Sequence, residues 1–383
     1  MKRTIKYYHF STFLVFALII VLFFTNQAIP FIADKEYDEN KKKAELPKFD
    51  INHLDDYPSK FEAYLSDNFS LRGYFLKTMG TINATIWKKS PKPDKLIIGN
   101  DGWLYNVDKE FDAYNGKRNF TQEQLNAVVN EFKYRKKVLD SMGIEMAIVI
   151  NPTKYSVYPE YLPRFLINNY AVTATEQLLS AIRTKTDINI IYTKEFLLPQ
   201  KKNYRLYLKG DNHWNTIGGY YAAKGILSNL KVTKNITPIP FTDFCIDSVY
   251  DWTGNLAKMA ADAELFSETK PLLKLCKNDA IEFTRHKYPV IKGFPYPWSY
   301  QKSYKSNNDS LPNALIIRDS FGGALMPYMK NMFHYSTFIF DSWHYKLNID
   351  IIKKEKPDVV IFMALESLIT NFYTYRITDT NKK

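Results

Sequence analysis

Cysteine is nearly absent from this 383-residue chain: there are two, Cys245 and Cys276. Two thiols without neighbouring ligands exclude a four-cysteine zinc site. In an oxidising compartment they can pair, and closing that loop would stabilise the fold by roughly 3–4 kcal/mol; two free thiols are the open alternative. Histidine is also scarce, with six residues: His9, His53, His213, His286, His334 and His344. No His/Asp/Cys cluster calls for a metal, and no cofactor is expected. Nucleic-acid-binding motifs are missing. The net charge of +12 is therefore read as a basic solvated surface, or as attraction to anionic headgroups or an acidic polymer. The chain has no internal repeat and one long apolar run.

That run follows Lys2, Arg3 and Lys6 and is uncharged from Tyr7 to Ala33; its dense part is Phe10 to Phe24. About 20 mostly apolar residues span a bilayer, and a basic flank before the span favours an N-inside orientation. The sequence predicts a single-pass anchor over residues 1–33, with a cleaved signal peptide as the alternative. Both readings place residues 34 onward outside the cytoplasm, periplasmic or extracellular.

Beyond the anchor, 45% of the chain is hydrophobic, enough for a sizeable core. Aromatics make up 16%; they suit sugar rings but fill ordinary cores more often. Residues 34–50 are charged and aperiodic and read as a tether. Helical stretches follow near Pro58–Leu65 and Leu71–Trp87, and together these form a segment over 34–95. Leu96 to Tyr105 reads as a hairpin around a Gly/Asn/Asp turn. Thr121 to Gln124 is a capping box for a helix with Leu125, Val128, Val129, Phe132 and Leu139 on one face. Short apolar strands then alternate with helices, at Met146–Ile150, Ile188–Tyr192, Ala314–Ile317, Thr337–Phe340 and Val359–Met363. This pattern predicts an α/β fold, a mostly parallel sheet with helices on both faces. Residues 231–310 are irregular and read as an insertion or lid.

Two segments carry chemistry. In Leu315 to Gly323 a buried strand runs into Asp319-Ser320, and two glycines open a helix. Ligands of open α/β sheets bind at carboxyl ends of strands, which places Ser320 at a helix N-terminus. Backbone N–H groups of Ser320 and Phe321 are candidates for holding an oxyanion; a plain helix cap is the bland reading. The second segment is Lys209 to Asn215. A serine hydroxyl needs a base whose imidazole is oriented by a third group. In an extended loop, residues i and i+2 face the same side, so Asp211 and His213 can project together. Only His213 among the histidines lies beside a carboxylate in a Gly/Asn-flanked turn. Weaker candidates for lining the site are Lys154, Tyr155, Trp214 and Arg318; structural packing is the alternative for Lys154 and Tyr155, and packing beside His213 is the preferred reading of Trp214. Glu366 reads as a buried charge partner, and Asp319 as a cap or structural hydrogen-bonder.

Gly210 to Asn215, followed about 105 residues later by Arg318 to Gly322, resembles the SGNH-hydrolase-like proteins of alginate O-acetylation (AlgJ/AlgX type) and the related DHHW family. Asp67 to Arg72, Gly99 to Tyr105, Asn151 to Glu160, Gly254 to Ala257 and Pro357 to Ile361 resemble that family's other segments, in order. The chain departs from the pattern at Ser70, Asn212 and Arg318. The resemblance implies an SGNH-hydrolase-like domain over 96–383 and a triad of Ser320, His213 and Asp211 working through an acyl-serine. It further implies an exported polysaccharide as acceptor and a membrane O-acyltransferase as acetyl donor. An esterase using the same triad, and a non-catalytic polysaccharide-binding scaffold, are the competing readings.

Overall fold

The computed structural model describes residues 2–29, 32, 43–49, 55–87, 89–167, 172–260, 262–277 and 279–374. The chain divides into two compact units, Met1–Lys92 with Lys258–Leu265, and Pro93–Ala257 with Phe266–Lys383.

The first unit contains α1 (Lys2–Ala28), α2 (Tyr57–Asn68) and α3 (Arg72–Thr85). Buried Asp67 accepts a hydrogen bond from Ala44 N at 3.0 Å, and Thr81 Oγ1 donates to Asp262 at 2.9 Å. Among the described residues no helix is long and apolar enough to cross a membrane. The spanning anchor expected at the N-terminus is thus not observed. The dense apolar stretch Phe10–Phe24 covers only about 22 Å at helical rise, against a hydrocarbon core of about 30 Å. Of the expected tether, residues 34–42 and 50 lie outside the described residues.

The second unit opens with the hairpin of β1 (Leu96–Ile98) and β2 (Leu104–Asn106), as expected. Its turn places Asp101 and Gly102 at φ 53° and 76°, where glycine is at home. In order follow α4 (Lys109–Tyr114), α5 (Gln122–Asp140), β3 (Glu145–Asn151), α6 (Lys154–Val157), α7 (Ala174–Lys185), β4 (Asn189–Tyr192), α8 (Lys194–Leu197) and α9 (Thr216–Ser228). Next come β5 (Phe244–Trp252), β6 (Glu268–Leu275), β7 (Ile281–Glu282), α10 (Pro297–Tyr300) and β8 (Gln301–Lys305). The chain then forms β9 (Ala314–Arg318), α11 (Gly322–Met329), β10 (Tyr335–Phe340), α12 (Ile349–Glu355), β11 (Val359–Leu365) and α13 (Asn371–Thr374). The capping box at Thr121 and Gln124 starts α5, as read from the sequence.

Seven strands form the main sheet in the order β4-β3-β11-β9-β10-β8-β7. The first five are parallel; β8 and β7 add antiparallel at one edge. The central strands are apolar on both faces because both are covered. Ala147, Val149, Ile316, Phe338, Ile361 and Met363 pack in one core with residues of α9 and α11. Ile148, Ile150, Leu315, Ile317, Val360 and Phe362 pack in the other with α5, α7 and α12. The two sets alternate along each strand, as the two-residue period of a strand requires.

Residues 231–310 are more ordered than the sequence predicts. β5 and β6 pair antiparallel and a Cys245–Cys276 disulfide ties them, while β7 and β8 extend the main sheet. The strand periodicity escaped detection for a physical reason: β5 is exposed along most of its length, so no apolar alternation marks it.

Candidate active site

The carboxyl ends of β3, β9, β10 and β11 share one edge of the sheet. β9 ends at Arg318, α11 begins at Gly322, and Ser320 is exposed on the turn between them. Asp319 holds this turn. Its buried carboxylate accepts from Phe321 N at 2.8 Å, from Leu365 N at 2.6 Å and from Tyr345 Oη at 3.2 Å. Burial raises the Asp319 pKa, and those three donors oppose the rise. A side chain at Gly322 would press on that of Arg318, so glycine lets the helix start directly behind the serine.

The loop carrying Asp211 and His213 lies at the end of a narrow return. Tyr207 bridges to Trp214, Leu208 N donates to His213 O at 3.2 Å, and Asn215 N donates to Leu206 O at 2.9 Å. The Asn215 side chain then caps α9, accepting from Ile217 N and Gly218 N at 3.0 Å each. Packing brings this loop to the serine. α9 crosses α11 so closely that a Cβ at Gly219 would overlap the Ala324 carbonyl, and Trp214 Nε1 donates to Phe321 O at 2.9 Å. One helix starts just after His213 and the other just after Ser320, so their crossing fixes the distance between the two side chains.

The result is a relay of contacts. His213 Nε2 lies 2.9 Å from Ser320 Oγ, and His213 Nδ1 lies 2.6 Å from Asp211 Oδ1. A neutral imidazole protonated on Nδ1 satisfies both: it donates to the carboxylate and accepts from the hydroxyl. Asp211 Oδ1 also accepts from His213 N at 3.0 Å, and Oδ2 accepts from Asn255 N at 2.9 Å. A Cβ at Gly254 would overlap Gly210 O, so glycine there lets Asn255 reach the carboxylate. Burial alone would raise the Asp211 pKa. The hydrogen bond and charge of His213 and the two backbone donors outweigh it and hold Asp211 well below the usual carboxylate range. Burial would lower the His213 pKa, but Asp211 first, then Glu110 and Asp319, raise it above 6.5.

The four weaker candidates for lining the site, Lys154, Tyr155, Trp214 and Arg318, are all buried. Lys154 is 1% exposed and donates to Leu104 O at 2.8 Å and Lys209 O at 3.0 Å. Desolvation brings its pKa down to about 7, against the pull of Asp211, Glu268 and Glu110. Tyr155 is fully buried and donates to Asn106 O at 2.7 Å. Trp214 serves the bridge to Phe321 described above. Arg318 is buried, donates to Asp319 O and to Ser299, and lies over the Phe340 ring. Of the two oxyanion candidates, the Phe321 N–H is engaged by Asp319. Glu366 gathers donors from Thr153, Ser156 and Tyr192 at the ends of the strands.

Two supports have no signal in the sequence. Asn255 lies inside a segment already quoted for the resemblance, but its backbone role shows only in three dimensions. Glu110, buried on α4, accepts from Asn212 Nδ2 at 2.9 Å. Burial, then Asp108, pushes its pKa up to about 7. A carboxylate beside an imidazole is not in itself distinctive, since His344 pairs with Asp341 and His286 with Glu355. Among the described residues, His213 is the imidazole that also reaches a serine hydroxyl.

Residues 96–287 match the family described as "SGNH hydrolase-like domain, acetyltransferase AlgX". Among curated proteins, a relative named "Probable alginate O-acetylase AlgJ" from Pseudomonas syringae pv. tomato is 26% identical over 216 residues, 55% of this chain and 52% of its own. The chain spans about half the length of the curated relatives it matches most extensively. Two solved structures share the fold. A DHHW family protein from Eubacterium siraeum has a TM-score of 0.52 at 17% identity, covering 72% of this chain and 92% of its own. Bacillus cereus PatB1 has a TM-score of 0.52 at 16% identity, covering 73% and 99%.

Proposed function

The chain belongs to the AlgX family of SGNH hydrolase-like domains, and from that premise we propose that it is an extracytoplasmic polysaccharide O-acetyltransferase working through an acyl-serine. The observation that carries this reading is the position of His213 between Asp211 and Ser320. Ser320 Oγ attacks the acetyl carbonyl and passes its proton to His213 Nε2. Collapse of the tetrahedral adduct breaks the bond to the leaving group, which takes that proton. A sugar hydroxyl then gives its proton to His213 and attacks the acyl-serine, releasing Ser320 and leaving an acetyl ester on the sugar. Asp211 fixes the tautomer and stabilises the imidazolium formed in each half. The Ser320 N–H is the backbone group we assign to the oxyanion.

The acceptor in this reading is an exported polysaccharide. The donor is a membrane O-acyltransferase, because acetyl-CoA is cytoplasmic. The test is product partition. With an activated acetyl ester and an acceptor oligosaccharide, acetyl should appear on the sugar, and the acyl-enzyme should decay faster as sugar is added. Free acetate in unchanged yield at every sugar concentration would instead assign an esterase.

Location outside the cytoplasm is supported by the disulfide and by the basic-then-apolar order of the N-terminus. Attachment to the membrane through α1 belongs to the same reading, since Phe10, Phe13, Phe16, Leu18 and Phe24 are exposed on it. Unreduced protein taken from its native compartment should resist thiol alkylation at both Cys245 and Cys276. Replacing both by serine should lower unfolding stability by about 3–4 kcal/mol, from the entropy of the loop they close. Ready alkylation of both thiols would contradict export.

A further inference from the structure

Three large aromatic side chains remain exposed on the segments that lead into β8 and out of β10: Trp298 at 71%, Tyr296 at 49% and Trp343 at 40%. They are not scattered. Tyr296 and Trp298 meet with ring centroids 5.7 Å apart, and Tyr296 lies 6.3 Å from Phe294. Phe294 in turn meets Trp343 at 5.5 Å, and Trp343 lies 6.0 Å from Phe340. Phe294 and Phe340 are buried, so the three exposed rings stand on two that are packed in the core. An exposed apolar patch backed in this way marks an interaction surface more often than a single exposed ring does.

Both halves of this shelf are tied to the strand end that carries Ser320. Arg318 Nη2 donates to Ser299 O at 2.9 Å and Ser299 Oγ at 3.1 Å, which holds the residue next to Trp298. Asp341 N donates to Arg318 O at 3.0 Å, and Tyr345 Oη donates to Asp319 at 3.2 Å. These bracket the loop carrying Trp343. Both halves of the shelf are therefore tied to Arg318 and Asp319, two residues and one residue before the serine.

We propose that Tyr296, Trp298 and Trp343 form a stacking platform for a pyranose chain, which they hold so that a hydroxyl of one sugar meets the acyl group on Ser320. The choice of a sugar rests on the acyl-transfer reading above. The chemistry fits it: the C–H faces of pyranose rings lie flat on indole and phenol faces, while their hydroxyls stay in water.

The test measures binding without turnover, in the full chain bearing Ser320→Ala. Oligomannuronate, cellohexaose and chitohexaose are titrated by calorimetry. At least one should bind. On that glycan, Trp298→Ala and Trp343→Ala should each weaken the affinity roughly tenfold, the loss typical of an aromatic anchor. Trp298→Phe should restore most of it, and a circular dichroism spectrum should show each variant folded. Affinity unchanged in the folded double variant, or binding of none of the three glycans by the parent, would overturn the proposal. So would a dimer in sedimentation that Trp298→Ala dissolves, which would assign the shelf to a second copy of the chain. These binding results are independent of the chemistry: failure of acetyl transfer to Ser320 would remove the acyl-transfer reading and leave them standing.

Discussion

Asp211→Asn should leave the protein folded and lower its acetyl turnover by about 10⁴, the loss measured when the equivalent carboxylate of a serine-protease triad is replaced. The substitution is nearly isosteric. The carboxylate serves His213 N through Oδ1 and Asn255 N through Oδ2, at 3.0 and 2.9 Å, and the single amide oxygen can keep only one of these two backbone contacts. The amide lacks the charge that stabilises the imidazolium, and it can turn an N–H toward Nδ1, favouring the wrong tautomer. The pH dependence separates this role from a structural one. His213 must be neutral to take the serine proton, and its pKa is raised because Asp211 more than offsets burial. Activity should therefore rise with pH through a midpoint above 6.5. In Asp211→Asn the residual activity should show a lower midpoint, because burial then acts with less opposition. A midpoint that does not move, or near-normal turnover, would show that Asp211 is not the orienting group.

Ser320→Ala should have the largest effect, on the order of 10⁶ in turnover by comparison with removal of a protease nucleophile. The loss should be purely chemical. Ser320 is exposed, and the turn around it is held by Asp319 through Phe321 N and Leu365 N, neither of which involves the serine hydroxyl. Thermal unfolding of Ser320→Ala should match that of the parent. By contrast, Asp319→Ala would leave two backbone N–H groups without their acceptor in the core, and should destabilise the fold by roughly 1–3 kcal/mol for each.

Much of this arrangement was legible in the sequence, for identifiable reasons. β3, β9 and β11 are continuous apolar runs because each is covered on both faces, so their place in a parallel sheet could be read from composition and spacing. The i, i+2 placement of Asp211 and His213 and the Asp319-Ser320 strand end marked both segments locally as candidates. What brings the two segments together carried no such mark. The closest approach of α9 and α11 depends on Gly219 meeting Ala324, a contact between residues that no local pattern links.

Two of the candidates for lining the site, Lys154 and Arg318, are cations at strand ends. The structure buries both: Lys154 donates to the carbonyls of Leu104 and Lys209, and Arg318 to those of Asp319 and Ser299. A buried cation with such partners braces the loops around the site. Lys154, for example, holds the carbonyl two residues before Asp211. Phe321 N, a natural oxyanion donor by position, is taken by the carboxylate of Asp319. The antiparallel strands β5 and β6 stayed hidden because β5 is largely exposed and β6 buries only one residue, and such strands carry little hydrophobic signal.

In the proposed reaction Ser320 carries the acyl group. Intact-mass analysis of the parent protein after brief exposure to an activated acetyl ester tests it most directly. One added acetyl should appear, mapped by peptide analysis to the segment containing Ser320, absent from Ser320→Ala and shed faster when an acceptor oligosaccharide is present. A folded parent protein that takes up no acetyl at Ser320, while Ser320→Ala retains full activity, would contradict it.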